Sequence, residues 1–352
     1  MRQVRIGFIG CGEIAALHRQ AIERIAGARL ARVFDREVDK AQALAARAGA
    51  SVVGSVQEML SDSSIDAVYV LTRHDSHAAL VTQAVAAGKA VFCEKPLALT
   101  VADAEEVVRQ VEMNSATVMV GLNYRWAPVI QQAKAWADAQ PGRPLALHLS
   151  FVTSPFLQGW AGLEAEGGGV MHCLGSHAID LAAHLLGCAF NEVTAVQSRL
   201  RLPEPYLPDT ASVLLRGADG AIATLLLHDH APAHYVQYET GEGSHLVRAE
   251  LYGEGWVIVV DSLTHLTLYD AEGCREVDIP CDSRVERFGI LAENAHFIEC
   301  VRTGAQPRPD ARDAAHVVAL VQAAAASAQQ GGALSAPGAV IVNRQEVSID
   351  RT

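Results

Sequence analysis

The stretch "VRIGFIGCGEIAALH", Val4–His18, is an apolar run that breaks at Gly10 and Gly12 and resumes as an alanine-rich amphipathic segment. It reads as a buried strand, a tight turn and the start of a helix, with Gly10-x-Gly12-x-x-Ala15 across the junction. Gly10 allows the turn, and Gly12 lets the backbone approach a pyrophosphate. Ala15 lets the helix lie close to its strand, and the first turn, with Glu13 and Ile14, offers N–H groups to phosphate. Asp35 ends the next apolar run in "VFDRE", about 20 residues on, where a carboxylate meets ribose hydroxyls. That carboxylate repels a 2′-phosphate, so NAD is expected in preference to NADP, although Arg36 beside it is a residue NADP could use.

Outward from this motif the pattern repeats. Val4–Ile9, Arg29–Phe34, Ala67–Leu71, Ala90–Cys93 and Thr117–Val120 are strand-like and apolar on both faces. Helical stretches at Ile14–Ile25, Val38–Ala48, His77–Ala87 and Ala102–Met113 separate them. Alternation of this kind predicts a parallel sheet covered on both sides. After Tyr124 one helix (Pro128–Ala139) leads into longer strands between Leu145 and Tyr269, with a helical insert at Val170–Leu186 and two terminal helices, Ile290–Thr303 and Arg312–Gln329. The expectation is α/β: a Rossmann nucleotide-binding domain over 1–122, then an α+β domain over 123–352 with a large, mostly antiparallel open sheet. A one-faced sheet needs a cover, which predicts a homodimer or homotetramer through that face.

The chain has 352 residues, a net charge of −12, 50% hydrophobic and 19% charged residues. This is a globular composition, and its acidity argues against a nucleic-acid partner. No apolar run is long enough to span a membrane, and, with "MRQVRIGFIG" leading directly into strand-like sequence, no secretory leader is expected. Seven cysteines without a CxxC pair predict reduced thiols and a cytoplasmic setting. His228, His230 and His234 in "HDHAPAH" could ligate a metal or line a pocket. They are read as strand-end and loop histidines, and no metal is expected.

"VFCEKPLAL", Val91–Leu99, ends a buried strand on Glu94, Lys95 and Pro96. A lysine there is either paired with Glu94 or has chemistry to do, because its burial is otherwise costly. Hydride leaves a carbinol carbon only as the hydroxyl proton is lost, so a proton-handling group must be within reach. The residues alone leave both readings open.

"GFIGCGEIAALH", "IDAVYVLT", "HDSHAAL", "AAGKAVFCEKPLAL", "VGLNYRWAP" and "GGGVMHCLGSHAIDL" occur in the order and spacing of the glucose–fructose oxidoreductase / inositol dehydrogenase / MocA family, which the chain resembles from Val4 to roughly Gly331. The resemblance implies NAD(P)-dependent hydride transfer at a ring or secondary carbinol of a sugar, cyclitol or related polyol. Redox-neutral glycosidases and a sugar sensor occur in the same family. It implies Lys95 and His177 as the catalytic pair, and cofactor contacts from Thr72, His77, Glu94 and Asn123. Tyr124, Arg125 and Trp160 fall where members reach substrate or cofactor.

Two departures stand out. "TRHDSH" replaces the usual Thr-Pro, so that Arg73 and His74 face the cofactor crevice or lie solvated in a loop. Cys173 stands where an aspartate is common, four residues before His177, with His172 beside it. A neutral thiol is a poor hydrogen-bond acceptor. Either His172 takes over part of that role or the polyol contact is missing.

Overall fold

The computed structural model describes residues 2–236 and 245–337, with the side chains of His234 and Val236 also left aside. Its first sheet holds β1 (Val4–Ile9), β2 (Ala28–Phe34), β3 (Ser51–Val52), β4 (Ala67–Val70), β5 (Ala90–Glu94) and β6 (Val118–Gly121). The order is β3-β2-β1-β4-β5-β6 and every pairing is parallel. Helices α1 (Glu13–Glu23), α2 (Val38–Ala48), α3 (Val56–Ser61), α4 (His77–Ala86) and α5 (Val101–Met113) form the crossovers. Strand order reverses between β1 and β4, and a crevice opens at such a switch point, beyond the strands' carboxyl ends. β3 and α3 were not anticipated. β3 is only two residues long, too short for a periodicity to show.

Helix α6 (Pro128–Ala139) leads to the second sheet: β7 (Ala146–Thr153), β8 (Phe190–Ser198), β9 (Thr210–Gly217), β10 (Ile222–Asp229), β11 (His245–Gly253), β12 (Trp256–Ser262), β13 (His265–Asp270) and β14 (Gly273–Asp278). Its order is β14-β13-β12-β11-β7-β10-β9-β8, and only β7–β10 is parallel. Residues alternate strictly in β9: Ala211, Val213 and Leu215 are buried, while Leu214 faces out. β14 was missed because its residues, GCREVD, are polar and nearly all exposed.

A π-helical turn, Met171–Gly175, precedes α7 (Ser176–Leu186) against the inner face of this sheet. Two single turns, α8 (Ala233–Val236) and α9 (Arg284–Arg287), come before α10 (Ile290–Thr303) and α11 (Ala311–Gln329). These last two helices return to the first sheet. Phe297 and Ile298 of α10 join the cluster of Phe8, Tyr69 and Phe92, α11 packs on α5, and Val120 N–H donates to Pro309 O at 3.1 Å. The chain after Gly331 is described only to residue 337, and Ser335 bridges Val193 there. No helix among the described residues is long and apolar enough to cross a membrane.

Candidate active site

At the switch point Gly10 has φ +100°, and a Cβ there would stand 2.5 Å from the Leu71 carbonyl oxygen. Only glycine lets the two loops approach so closely. Gly12 is the opposite case: nothing lies within 4 Å of where its Cβ would be. Gly12 is also the cap residue of α1 and makes no side-chain cap bond, so first-turn N–H groups face an open crevice. Such a cradle fits the pyrophosphate of a dinucleotide. Asp35, just past β2, accepts from Cys11 N–H (2.7 Å) and Glu37 N–H (2.8 Å), which fixes its carboxylate beside the glycine turn. Arg36 is exposed.

β5 delivers Glu94 and Lys95 to the same end of the sheet. Glu94 does not pair with the Lys95 ammonium. One oxygen faces His18 Nε2 at 3.1 Å and the other accepts the Lys95 backbone N–H at 3.0 Å. His18 is fully buried, and its Nδ1 accepts from the Asn294 amide of α10 at 2.9 Å. Burial alone would raise the Glu94 carboxyl, but His18 and Lys95 hold it below the ordinary range. Glu293 sits in the same pocket with both oxygens unpartnered, and burial followed by the Glu94 charge pushes it well above the carboxylate range. One buried acid is ionised and the other neutral, as two close carboxyls in low dielectric must be.

Lys95 Nζ donates to the Cys173 carbonyl oxygen at 3.0 Å, one turn before His177. His177 is buried and its Nδ1 has no partner. Burial, then the charge of Lys95, holds its pKa well below the usual histidine value, so the ring is neutral. Tyr124 packs edge-on against it at 4.8 Å. His245 of β11, which nothing local in the sequence marks, lies 6.4 Å from Tyr124 and is lowered to about 3 by burial and Lys95.

Other expected residues spend their polar atoms on the frame. The Cys173 thiol is buried toward the Ala161 and Gly167 carbonyls (3.7 Å each), so this residue meets Lys95 through its backbone and offers no side-chain contact. His172 does not replace it, since its two nitrogens abut the Gly168 and Leu99 carbonyls at 3.1 and 3.0 Å. His77 is likewise bracketed by Pro96 O and Thr72 O, at 2.7 and 3.0 Å. Arg125 forms a two-pronged pair with Asp180. Asn123 donates to Phe288 O at 2.6 Å. Thr72 bonds Ser76.

The "TRHDSH" loop reaches across the crevice. Arg73 pairs with Glu166, His74 contacts Gly167 O at 2.8 Å, and Trp160 stands edge-on to His74 at 4.9 Å. His228 contacts Thr210 Oγ1, and His230 lies 3.0 Å from Asp229. The His234 side chain is outside the described residues. Among the described residues no group of three metal-ligating side chains is assembled.

A glycine cradle with the Asp35 carboxylate beside it, opening onto a lysine without a carboxylate partner among the described residues and a neutral histidine, fits a nicotinamide-dependent oxidoreductase. Residues 4–122 match the oxidoreductase family NAD-binding Rossmann fold and residues 130–258 match the GFO/IDH/MocA C-terminal domain. The chain is 30% identical to an inositol 2-dehydrogenase of Acidothermus cellulolyticus, over 96% of this chain and 97% of that one. It is 31% identical to a 1,5-anhydro-D-fructose reductase of Ensifer adhaerens, over 79% and 83%. The crystal structure of GenD2 from gentamicin A biosynthesis, in complex with NAD, shares the fold at a TM-score of 0.84 and 23% identity, covering 96% of this chain and 97% of that one. The chain belongs to the Gfo/Idh/MocA family of oxidoreductases, and its cofactor is NAD.

Two outcomes follow from this geometry. Asp35→Ser is expected to weaken NADH binding about tenfold, the worth of a lost charged hydrogen bond, and to narrow the NADH-over-NADPH preference; fluorescence titration with both cofactors reads this. His184, on α7, is held neutral by burial and nearby Arg125, with a pKa lowered to about 3. A folded pKa below the unfolded value near 6.5 means stability is lost as pH falls under that value. Glu293 acts in the opposite sense, so the informative quantity is a difference. The melting temperature of His184→Leu should fall less between pH 7.5 and 5 than that of the parent, and equal falls would contradict the assignment.

Proposed function

We propose that this chain oxidises or reduces a secondary carbinol of a sugar, cyclitol or related polyol, with Lys95 and His177 handling the hydroxyl proton. The observation that carries it is the state of Lys95, whose ammonium has no carboxylate partner among the described residues and bonds only a carbonyl one turn from His177. The pairing with Glu94 that would have made it a structural lysine is not formed.

Bound NAD supplies the hydride acceptor at its nicotinamide ring. The glycine turn and the α1 N-terminus would hold its phosphates, and Asp35 would hold its adenosine ribose. His177, neutral at pH 7, is able to accept a proton, and Lys95 donates a hydrogen bond that stabilises the alkoxide developing at the reacting oxygen. Burial lowers the local dielectric and strengthens both interactions. Arg73, His74 and Trp160 would flank the nicotinamide end, and Tyr124 would wall the substrate. Asn123, Arg125, His77, His172 and the Cys173 thiol hold the walls in place. The names of the two relatives support a sugar-like substrate.

The division at 122/123 assigns cofactor binding to the first sheet and substrate binding to the second. The unpaired thiols of all seven cysteines support a reducing, cytoplasmic setting. The outer face of the second sheet leaves Val196, Leu214, Ile222, Leu226 and Tyr269 more than a third exposed, an apolar surface that a second copy would cover.

Lys95→Ala is expected to cut kcat by at least a hundredfold with NADH affinity changed less than threefold. Equal loss of both would remove the proposed role. Light scattering after size exclusion should show a dimer or tetramer, and Leu214→Glu with Leu226→Glu should yield a monomer of unchanged circular dichroism. A monomeric parent protein would refute the interface.

A further inference from the structure

Beyond His177 the cleft is walled by rings. Phe151 stacks parallel to the imidazole at 5.8 Å, and Tyr124 stands edge-on to it. Phe288 is edge-on to Tyr124 at 5.8 Å and to His245 at 6.0 Å. The Arg284 guanidinium of α9 lies over Phe288, 5.5 Å from the ring centroid. Its Nε is buried without a hydrogen bond, and no carboxylate pairs with it among the described residues. Lys95 is the second cation without a carboxylate partner among the described residues. His245 faces the Phe288 ring that Arg284 covers, and after burial both charges act on it, Lys95 first and Arg284 next.

The acids nearby are already engaged. Glu94 is held by His18 and the Lys95 N–H. Asp229 accepts from the Thr153 hydroxyl and the N–H groups of Phe156 and Leu157. Asp180 belongs to Arg125, Glu166 to Arg73 and Glu286 to Arg24. The cleft thus presents two positive charges and, among the described residues, no free negative one. Cations held at an aromatic, partly dehydrated wall without counter-charge are costly, and a ligand that brings an anion recovers that cost. A guanidinium also fits a carboxylate by two parallel hydrogen bonds, a geometry that a neutral hydroxyl cannot match.

We propose that the substrate is an anionic polyol, a sugar acid whose carboxylate is received by Arg284 while its reacting carbinol lies at Lys95 and His177. This rests on the reading of Lys95 and His177 given above and adds the substrate's charge to it. Arg284 is then the residue that separates acids from neutral sugars, without touching the reacting carbon.

The test is calorimetric and needs no turnover. NADH-loaded protein is titrated with matched pairs: D-glucuronate and D-glucose, D-galacturonate and D-galactose, D-gluconate and D-sorbitol. At least one acid should bind tenfold or more tightly than its neutral partner. Arg284→Gln, which removes the charge and shortens the side chain but keeps an N–H donor, should reduce that preference to less than threefold with NADH affinity unchanged. Arg284→Lys should retain part of it, which separates lost charge from lost folding. Neutral members binding as tightly in every pair, or a preference that survives Arg284→Gln, would overturn the assignment. Its failure is distinct from failure of the hydride-transfer reading, which turns on Lys95→Ala and turnover alone.

Discussion

A buried carboxylate at the end of a central strand sets the terms for everything around it. Glu94 is a charge in an apolar layer, and such a charge persists only where partners surround it. His18 from α1, itself fixed by Asn294 from α10, and the backbone N–H of Lys95 are those partners. Breaking a buried pair on one side costs about 3–5 kcal/mol, so the glycine-loop helix, the strand end and a C-terminal helix are tied to one position. The space is tight as well: a Cβ on Gly121 of the neighbouring strand would come within 3.2 Å of Glu94 Oε1. With Glu94 so committed, Lys95 has no carboxylate partner among the described residues, and its ammonium turns to the Cys173 carbonyl in the π-helical turn.

The histidines around Lys95 are a second consequence of burial. His74, His77, His172 and His177 are all held below the usual histidine value, with burial the first cause and the lysine's charge contributing to each. Three of these rings lie against main-chain carbonyls and brace loops. Only His177 keeps a buried nitrogen with nothing to bond. A set of identical side chains thus divides into supports and one ring with an open nitrogen, according to whether the backbone already occupies those nitrogens.

How much of this could be read beforehand follows from the range of each interaction. The parallel sheet, the glycine turn and Asp35 rest on residues adjacent in sequence, and strand periodicity exposes them. The assignment of Lys95 and His177 came from the order of several motifs, since spacing alone left Lys95 open. What escaped was long-range. Arg125 finds Asp180, Asn123 finds Phe288 O, and His18 finds both Glu94 and Asn294. No local pattern announces such partners. Cys173 shows the subtler limit: its position was legible, but the π-helical turn decides that its carbonyl and not its thiol faces Lys95. His245 and Arg284 lie far along the chain from the motifs they join.

The return of α10 and α11 to the first sheet bears on how the molecule is made. A ribosome releases the six strands of that sheet well before Phe297 and Ile298, which complete the cluster of Phe8, Tyr69 and Phe92. Until then His18 lacks Asn294 and the aromatic layer is open to water on one side. The segment that looks like a freestanding unit when read from the amino terminus is therefore an unfinished one during synthesis. It depends on residues 294–298, made long after the last strand of the sheet, and on chaperones or speed to shield its rings in the interval.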